Sequence, residues 1–320
     1  MRKTSLFNLF TIAIIAFIVG ASGVVAQNLT GEWSANTRGW DKGPKHQTGD
    51  EADVHKEDPN KIHLSFTRRT SANGGRNQHG SSFNYSDLEG LTRQQAEAGG
   101  PVSFRLVREA GIIECQGTFA NGKGSGTFTF TGNKNFVDAM KARGFDFEKL
   151  PANGDNGSPL DKLFAATTLN VTTALADDLK SANFGNLDVD DLFKAAIFKI
   201  DGKFMAEMKA TGFPNLGMED LVKARIFKVD ADYVRQVKDM GFTDQGFEGL
   251  VKFRIFKVTP EFLNELRAAG LDKMDAEDIV KARIFKIDGE FIRQARAEDP
   301  NVTMEELVQI KIGVRRRAKE

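Results

Sequence analysis

Cysteine is almost absent from this chain of 320 residues, which contains only Cys115. An intrachain disulfide needs two cysteines, so packing must stabilise the fold instead. Cys115 lies in IIECQGTF, where strand alternation places Ile113, Gly117 and Phe119 on the same face. This pattern predicts a buried structural thiol rather than a nucleophile.

An excess of one charge is also missing, because Lys plus Arg and Asp plus Glu both total 44. Proteins that bind nucleic acid through phosphates usually carry a basic surplus. The balance therefore predicts no nucleic-acid partner.

Residues with catalytic spacing are scarce. The four histidines, His46, His55, His63 and His79, lack a His-Glu-x-x-His or mixed Cys/His pattern. No phosphate loop, dinucleotide fingerprint or Gly-x-Ser-x-Gly occurs either. The sequence thus predicts a protein that is not an enzyme, with no catalytic residue, no cofactor and no metal ligand.

The only long apolar run stands at the N-terminus. Arg2 and Lys3 precede the apolar residues 9–19, and small residues follow up to Ala26. This arrangement predicts a signal peptide over residues 1–26 and an exported protein, either periplasmic or secreted. The alternative is an uncleaved signal, which would be the chain's only contact with a membrane.

A period of two runs through residues 27–133 and predicts an antiparallel β domain, either a sheet or a partial barrel, with five or six strands. KIHLSFT places Ile62, Leu64 and Phe66 on one face, and Asn121-Gly122 marks a hairpin turn. Gly31-Glu32-Trp33 resembles the Gly-x-Trp that opens the first strand of lipocalin-like barrels. That resemblance implies a small-ligand carrier as an alternative function, although an ordinary core tryptophan explains the triplet equally well.

Residues 134–320 change to a helical period and contain six units, the later ones 29 residues long. The second half of each unit repeats a motif such as LVKARIFKVD, whose apolar residues are assigned to folding and the core. Its phenylalanines are expected at the seams between units: Phe198, Phe227, Phe256 and Phe285. The first, longer unit contains PANGDNGSPL, which is interpreted as a flexible insertion rather than a calcium loop.

Start and stop signals recur in phase with the apolar pattern. Helix-capping residues are predicted at Asp188, Asp201, Asp230, Thr259, Asp275, Asp288 and Thr303. Left-handed stops are predicted at Gly144, Asn183, Gly212, Gly241 and Gly270. Helices of about ten residues are marginal alone. Stacked pairs cover one another, so the expected fold is α+β, with a small β domain followed by an α-solenoid.

Basic residues also recur every 29 residues, and solenoids commonly bind partners along such rows. The candidate partner-binding residues are Arg225, Arg254, Arg283, Lys228, Lys257 and Lys286, with Lys199 in the preceding copy. The alternative is a solvated or internally paired face, because each unit carries about as many acidic residues.

The repeat form Leu-Val-x-x-Arg-Ile, followed by Leu/Met-Lys/Arg-x-x-Gly-Phe, resembles repeats in exported C-terminal regions of some bacterial relatives of β-lactam-sensor antirepressor metallopeptidases. The segment FRLVREAGIIECQGTFANGKGSGTFTFTG resembles the part that precedes those repeats. The zinc-binding motif of the peptidase part is absent, so no zinc ligand is implied. The expected function is binding, sensing or scaffolding of a protein or cell-envelope partner. An envelope-acting enzyme with a site at the domain junction is a further alternative.

Overall fold

A computed structural model describes residues 28–37, 58–69, 76–149, 158–183 and 185–314. The predicted signal peptide lies outside the described residues, as does most of the predicted insertion, residues 151–157.

Seven antiparallel strands form one sheet within the described residues. They are β1 (Asn28–Asn36), β2 (Lys61–Arg69), β3 (Arg76–Asn84), β4 (Leu88–Glu89), β5 (Gly100–Arg108), β6 (Gly111–Ala120) and β7 (Lys123–Gly132). A 3₁₀ turn (Tyr85–Asp87) precedes β4, and helix α1 (Arg93–Ala98) connects β4 to β5. The order β3-β2-β1-β7-β6-β5-β4 makes an open sheet in which the first and last strands pair at the centre. The predicted antiparallel domain is confirmed; the strand beyond the predicted six is β4, whose two residues are too short for a periodic pattern.

Strand alternation buries one face of the sheet. Ile62, Leu64 and Phe66 on β2 are all buried, as predicted, and Cys115 on β6 is buried with them. The Asn121-Gly122 turn joins β6 to β7 with positive φ at both residues, 53° and 74°. Two such residues match the type I′ hairpin, whose twist suits antiparallel strands.

The buried face of the sheet is covered by the beginning of the helical region. Helix α3 (Pro159–Leu169) inserts Phe164, whose ring centroid lies 5.8 Å from that of Phe66 and 5.3 Å from those of Phe128 and Phe130. Arg68 of β2 forms an ion pair with Asp161 at the edge of this contact. The sheet and the helices therefore share one continuous apolar core.

Twelve helices follow the sheet in the described residues. The first helices of the six units are α2 (Lys134–Ala142), α4 (Thr173–Ser181), α6 (Gly202–Ala210), α8 (Ala231–Asp239), α10 (Pro260–Ala268) and α12 (Gly289–Glu298). The second helices are α3, α5 (Val189–Phe198), α7 (Met218–Ile226), α9 (Phe247–Ile255), α11 (Ala276–Ile284) and α13 (Met304–Lys311). First helices contact first helices in the pairs α2–α4, α4–α6 and α10–α12, and second helices contact second helices in the pairs α3–α5, α5–α7, α9–α11 and α11–α13. The predicted stack of helix pairs is confirmed. The first helices form one layer and the second helices form the other.

The predicted capping residues form the expected hydrogen bonds. The side chains of Asp201, Asp230 and Asp288 each accept a hydrogen bond from the backbone N–H three residues later, at 2.7–2.8 Å. Thr259 does the same at 3.3 Å before the proline that opens α10. The predicted glycine stops all have positive φ, between 96° and 106°. Local sequence signals therefore set the boundaries of these helices.

In the part of the chain that the structure describes, no helix has both the length and the apolar character needed to cross a membrane.

Candidate functional site

Arginines at the 29-residue period pack against the first helix of their own unit. Their guanidinium carbons stand 3.5–3.7 Å from the ring centroids of the preceding first helix, in the pairs Arg225–Phe204, Arg254–Tyr233 and Arg283–Phe262. This geometry is that of a cation–π contact. Lys311 continues the pattern above the Phe291 ring, at 4.4 Å. We call Arg225, Arg254 and Arg283 the arginine row.

The arginine row also closes helix ends. Arg225 Nη2 donates a hydrogen bond to the carbonyl oxygen of Lys199 at 2.6 Å, and Arg254 Nη2 donates to that of Lys228 at 2.8 Å. These carbonyls end the preceding second helix, where the last turn lacks intrahelical donors. Each arginine therefore joins the two helices of its own unit by a stacked ring, and Arg225 and Arg254 also cap the second helix of the unit before.

These contacts give the arginine row an intrachain role, in agreement with the internally paired alternative. The first helices use the same device, since Lys238 Nζ donates to the Thr211 carbonyl and Arg267 Nη2 to the Met240 carbonyl. A role of the arginines in binding a partner stays a prediction.

Lysines end four of the second helices in the left-handed conformation. Their φ angles are 57°, 54°, 53° and 51°, and all four residues are exposed: Lys199, Lys228, Lys257 and Lys286. We call these four residues the lysine row. Sequence reasoning expected them at the surface but missed their backbone conformation, because lysine rarely adopts it. Asn170 occupies the equivalent position of the first unit, with φ 56°. Because asparagine is enriched in the left-handed region, it was the sequence signal that could have revealed this conformation.

Replacing Lys228 with glycine is expected to raise the free energy of unfolding by about 0.5–1 kcal/mol, because glycine adopts positive φ without a steric penalty. Urea unfolding followed by circular dichroism measures the change. The control is Lys252→Gly, inside α9, which is expected to lower stability by about 1 kcal/mol. If Lys228→Gly lowers stability as Lys252→Gly does, the left-handed backbone of Lys228 is not a source of strain.

Isoleucines form a second exposed feature, which recurs once in each of five successive units. Ile197, Ile226, Ile255, Ile284 and Ile312 are 48–54% exposed. We call these five residues the isoleucine row. The sequence analysis assigned the apolar residues of the repeat to the core, and for these isoleucines that interpretation is wrong. The phenylalanines that follow them are only partly buried, although they do pack against the core as expected.

The isoleucine row begins where the sheet no longer covers the second helices. Its equivalent in α3 is Thr168, which is only 8% exposed and lies beside the sheet. Between α9 and α11 a groove of about 480 Å³ is lined by Phe253, Phe256, Val280 and Ile284. Lys252, Lys281 and Glu277 also line it, so the groove combines an apolar floor with a rim that carries more lysine than glutamate.

Arg68, His79 and Asp161 lie close together at the junction of the sheet and α3. Asp161 accepts hydrogen bonds from Ser158 at the start of α3 and from Arg68. His79 of β3 packs its ring against Phe164, with centroids 5.6 Å apart, and burial lowers the pKa of His79 despite an opposing effect of Asp161. Helix capping and the arginine ion pair thus occupy Asp161.

Lowering the pH from about 7 to about 5 is expected to reduce stability slightly through His79. Because its pKa is lowered in the folded state, the unfolded chain binds a proton that the folded protein disfavours. Stability is therefore retained above about pH 6.5 and lost as the pH falls below it. The effect is small because only one side of the imidazole packs on Phe164 and the residue keeps access to water. Urea unfolding at both pH values should show a smaller loss for His79→Gln than for the wild type; equal losses would contradict this assignment.

Trp33 lies in a filled aromatic core. It is 2% exposed, and its ring centroid stands 5.1 Å from that of Phe104 and 5.7 Å from that of Phe119. Its Nε1 donates a hydrogen bond to the carbonyl oxygen of Gln116 at 3.1 Å. Cys115 lies in the same core, and burial raises the pKa of its thiol, which agrees with the predicted structural role.

Among the residues that the structure describes, no cluster of three or more His, Cys, Asp or Glu side chains could hold a metal ion. Comparisons of the chain with protein-family models, with curated proteins and with solved structures give no match. The resemblance to the metallopeptidase-linked repeats therefore stays a prediction.

Proposed function

We propose that this protein is a non-enzymatic, exported binding or scaffold protein that holds a protein or cell-envelope partner along its helical repeats. The observation that carries the proposal is the two-layer stack, which repeats the same side chains from unit to unit over the second helices. Solenoids that present repeated side chains in this way provide extended binding surfaces.

The sheet supports the stack in this proposal. Phe164 of the first unit packs on the sheet, so the β domain covers one end of the array. A terminal unit of a solenoid must bury or cover its outer face. The aromatic rings around Trp33 favour this covering role over a small-ligand carrier, which needs an apolar cavity there.

Export rests on the N-terminal sequence pattern, and the expected partners are correspondingly extracytoplasmic. The resemblance to metallopeptidase-linked exported repeats supports the same location. A cell-envelope partner is therefore proposed in preference to nucleic acid, in line with the balanced charge.

The test is a pull-down from a bacterial envelope extract with the full chain immobilised through its C-terminus. Partners that are retained by the wild type and released by competition with free wild-type protein are expected. Beads that carry an unrelated protein of similar size serve as the control. A set of retained proteins no different from that control would remove the proposed function.

A further inference from the structure

We propose that the isoleucine row and the lysine row form one docking surface for an acidic segment of a partner protein that carries regularly spaced apolar side chains. The proposal rests on the proposed binding function and specifies its surface. It moves the predicted contact away from the arginine row, whose groups are engaged inside the chain.

The first observation is the constant exposure of the isoleucines. Five residues of the same type, each about half exposed, recur once per unit along one edge of the second-helix layer. Isolated exposed isoleucines are ordinary, but an ordered row of them indicates an interaction surface. Stacked helices stand about 10 Å apart, so the row is about 40 Å long.

The second observation is that lysine occupies a strained position in four successive units. A left-handed backbone is unfavourable for a residue with a side chain, and glycine avoids that penalty. The first helices of three of these four units do end on glycine, at Gly212, Gly241 and Gly270. Local strain that is kept where a cheaper residue would fit points to a role for the side chain.

Both rows follow the C-terminal ends of the second helices, since each lysine stands two residues after the isoleucine of the same unit. The aspartates that follow the lysines at this edge accept hydrogen bonds from backbone N–H groups as helix caps: Asp201, Asp230 and Asp288. The acidic residues of the second helices stand in their first turns, at the opposite end, and Glu219 and Glu248 are engaged by Lys194 and Lys223 of the preceding units. An occupant that complements this edge carries negative charge between its apolar side chains.

The groove between α9 and α11 favours a peptide over a lipid surface. It offers about 480 Å³ between Phe256 and Ile284, with Val280 on its floor, and can receive a large side chain. In a peptide in the polyproline II conformation, every third residue lies on the same side and advances by about 9 Å, which matches the spacing of the units. A partner segment of about fifteen residues would span the whole row.

The experiment measures fluorescence anisotropy of a labelled peptide of about fifteen residues made of repeated Leu-Asp-Glu, added to the full chain. One comparison peptide replaces each leucine with serine, and another replaces each acidic residue with lysine. Vesicles of equal parts phosphatidylglycerol and phosphatidylcholine form a separate arm. The Leu-Asp-Glu peptide is expected to bind at least about tenfold more tightly than either comparison peptide, and more weakly as salt is raised.

Two triple variants test the rows separately. Ile226→Ser, Ile255→Ser and Ile284→Ser together are expected to weaken peptide binding at least about tenfold, with little change in the melting temperature because the side chains are half exposed. Lys228→Gly, Lys257→Gly and Lys286→Gly together are expected to raise the melting temperature while they weaken binding. These opposite changes separate a binding role from a structural one.

The matched control combines Ala206→Ser, Arg235→Ser and Asn264→Ser, which are exposed on the first helices at the same spacing. It is expected to bind the peptide like the wild type.

The proposal is overturned if the isoleucine variant binds the peptide as the wild type does, or if the acidic peptide binds no better than the comparison peptides. Binding of vesicles but not of the peptide would replace it with a membrane-binding role. Envelope partners retained equally by the wild type and the isoleucine variant would overturn the surface and leave the proposed function intact.

Discussion

Replacement of Trp33 with alanine is expected to lower the free energy of unfolding by about 3–5 kcal/mol, the usual cost of truncating a large buried aromatic side chain. The indole occupies the centre of the sheet's buried face, against Phe104 and Phe119. Alanine would leave a cavity there and would also leave the Gln116 carbonyl without the indole donor.

Glycines on the strands beside Trp33 leave room for its indole ring. A Cβ on Gly117 or Gly124 would stand 2.7–2.8 Å from the indole, and one on Gly126 would meet both the indole and the Gln116 carbonyl. The ring thus fills space that these glycines leave open, as aromatic residues do over glycine in other sheets. Neighbouring side chains cannot easily collapse into the vacated space, which places the expected loss toward the upper end of the range.

Urea unfolding followed by far-ultraviolet circular dichroism measures the loss for Trp33→Ala. Trp33→Phe keeps a ring but loses the hydrogen bond to Gln116, so it is expected to lose less. A loss below about 1 kcal/mol for the alanine variant would contradict the filled core and would revive a cavity beside Trp33.

The second large effect is expected in the arginine row. Arg254→Ala removes a cation on the Tyr233 ring and a hydrogen-bond donor to the Lys228 carbonyl. Cation–π contacts contribute about 0.5–2 kcal/mol, and hydrogen bonds to charged groups about 1.5–3 kcal/mol. Because Arg254 is partly exposed, we expect a loss of about 2 kcal/mol for the single substitution.

Alanine at all three positions of the arginine row is expected to weaken three successive seams at once. In a solenoid, stability depends on the contact of each unit with its neighbours, so the unfolding transition should broaden as well as shift. Lysine at the same positions keeps the charge but lacks the planar, forked donor, and an intermediate loss is expected.

The matched control is Arg235→Ala on α8. Arg235 pairs only with an exposed aspartate of its own helix, Asp232, and a change within about 0.5 kcal/mol is expected. If Arg254→Ala proves as stable as Arg235→Ala, the arginine row does not hold the units together and its assignment to partner binding gains support.

Local features of the fold followed from the sequence. The alternation of Ile62, Leu64 and Phe66 predicted the buried face of β2, and capping residues such as Asp230 and Thr259 marked helix starts. These signals act between residues at most a few positions apart, so they can be read without knowledge of the stack. The six helix pairs followed from them.

The contacts of the candidate site were harder to predict from the sequence. Arg254 and Tyr233 lie on the two helices of one unit, and only the packing of α9 against α8 brings them together. Ile255 carries the same apolar signal as a core residue, yet half of it is exposed because the next second helix covers the other side of α9. The lysine row was visible as a surface feature, but its left-handed backbone was not.

The sequence alone determined where strands and helices begin and end, and that the helices recur in units too short to be stable alone. The tertiary structure decided what each side chain packs against: Phe164 on the sheet, Arg254 on the ring of Tyr233, and the isoleucine row in solvent. The physical reason is that hydrophobic periodicity specifies a buried stripe on one element but not its partner. The partner is fixed only when all the elements pack together and compete to cover the same apolar surface.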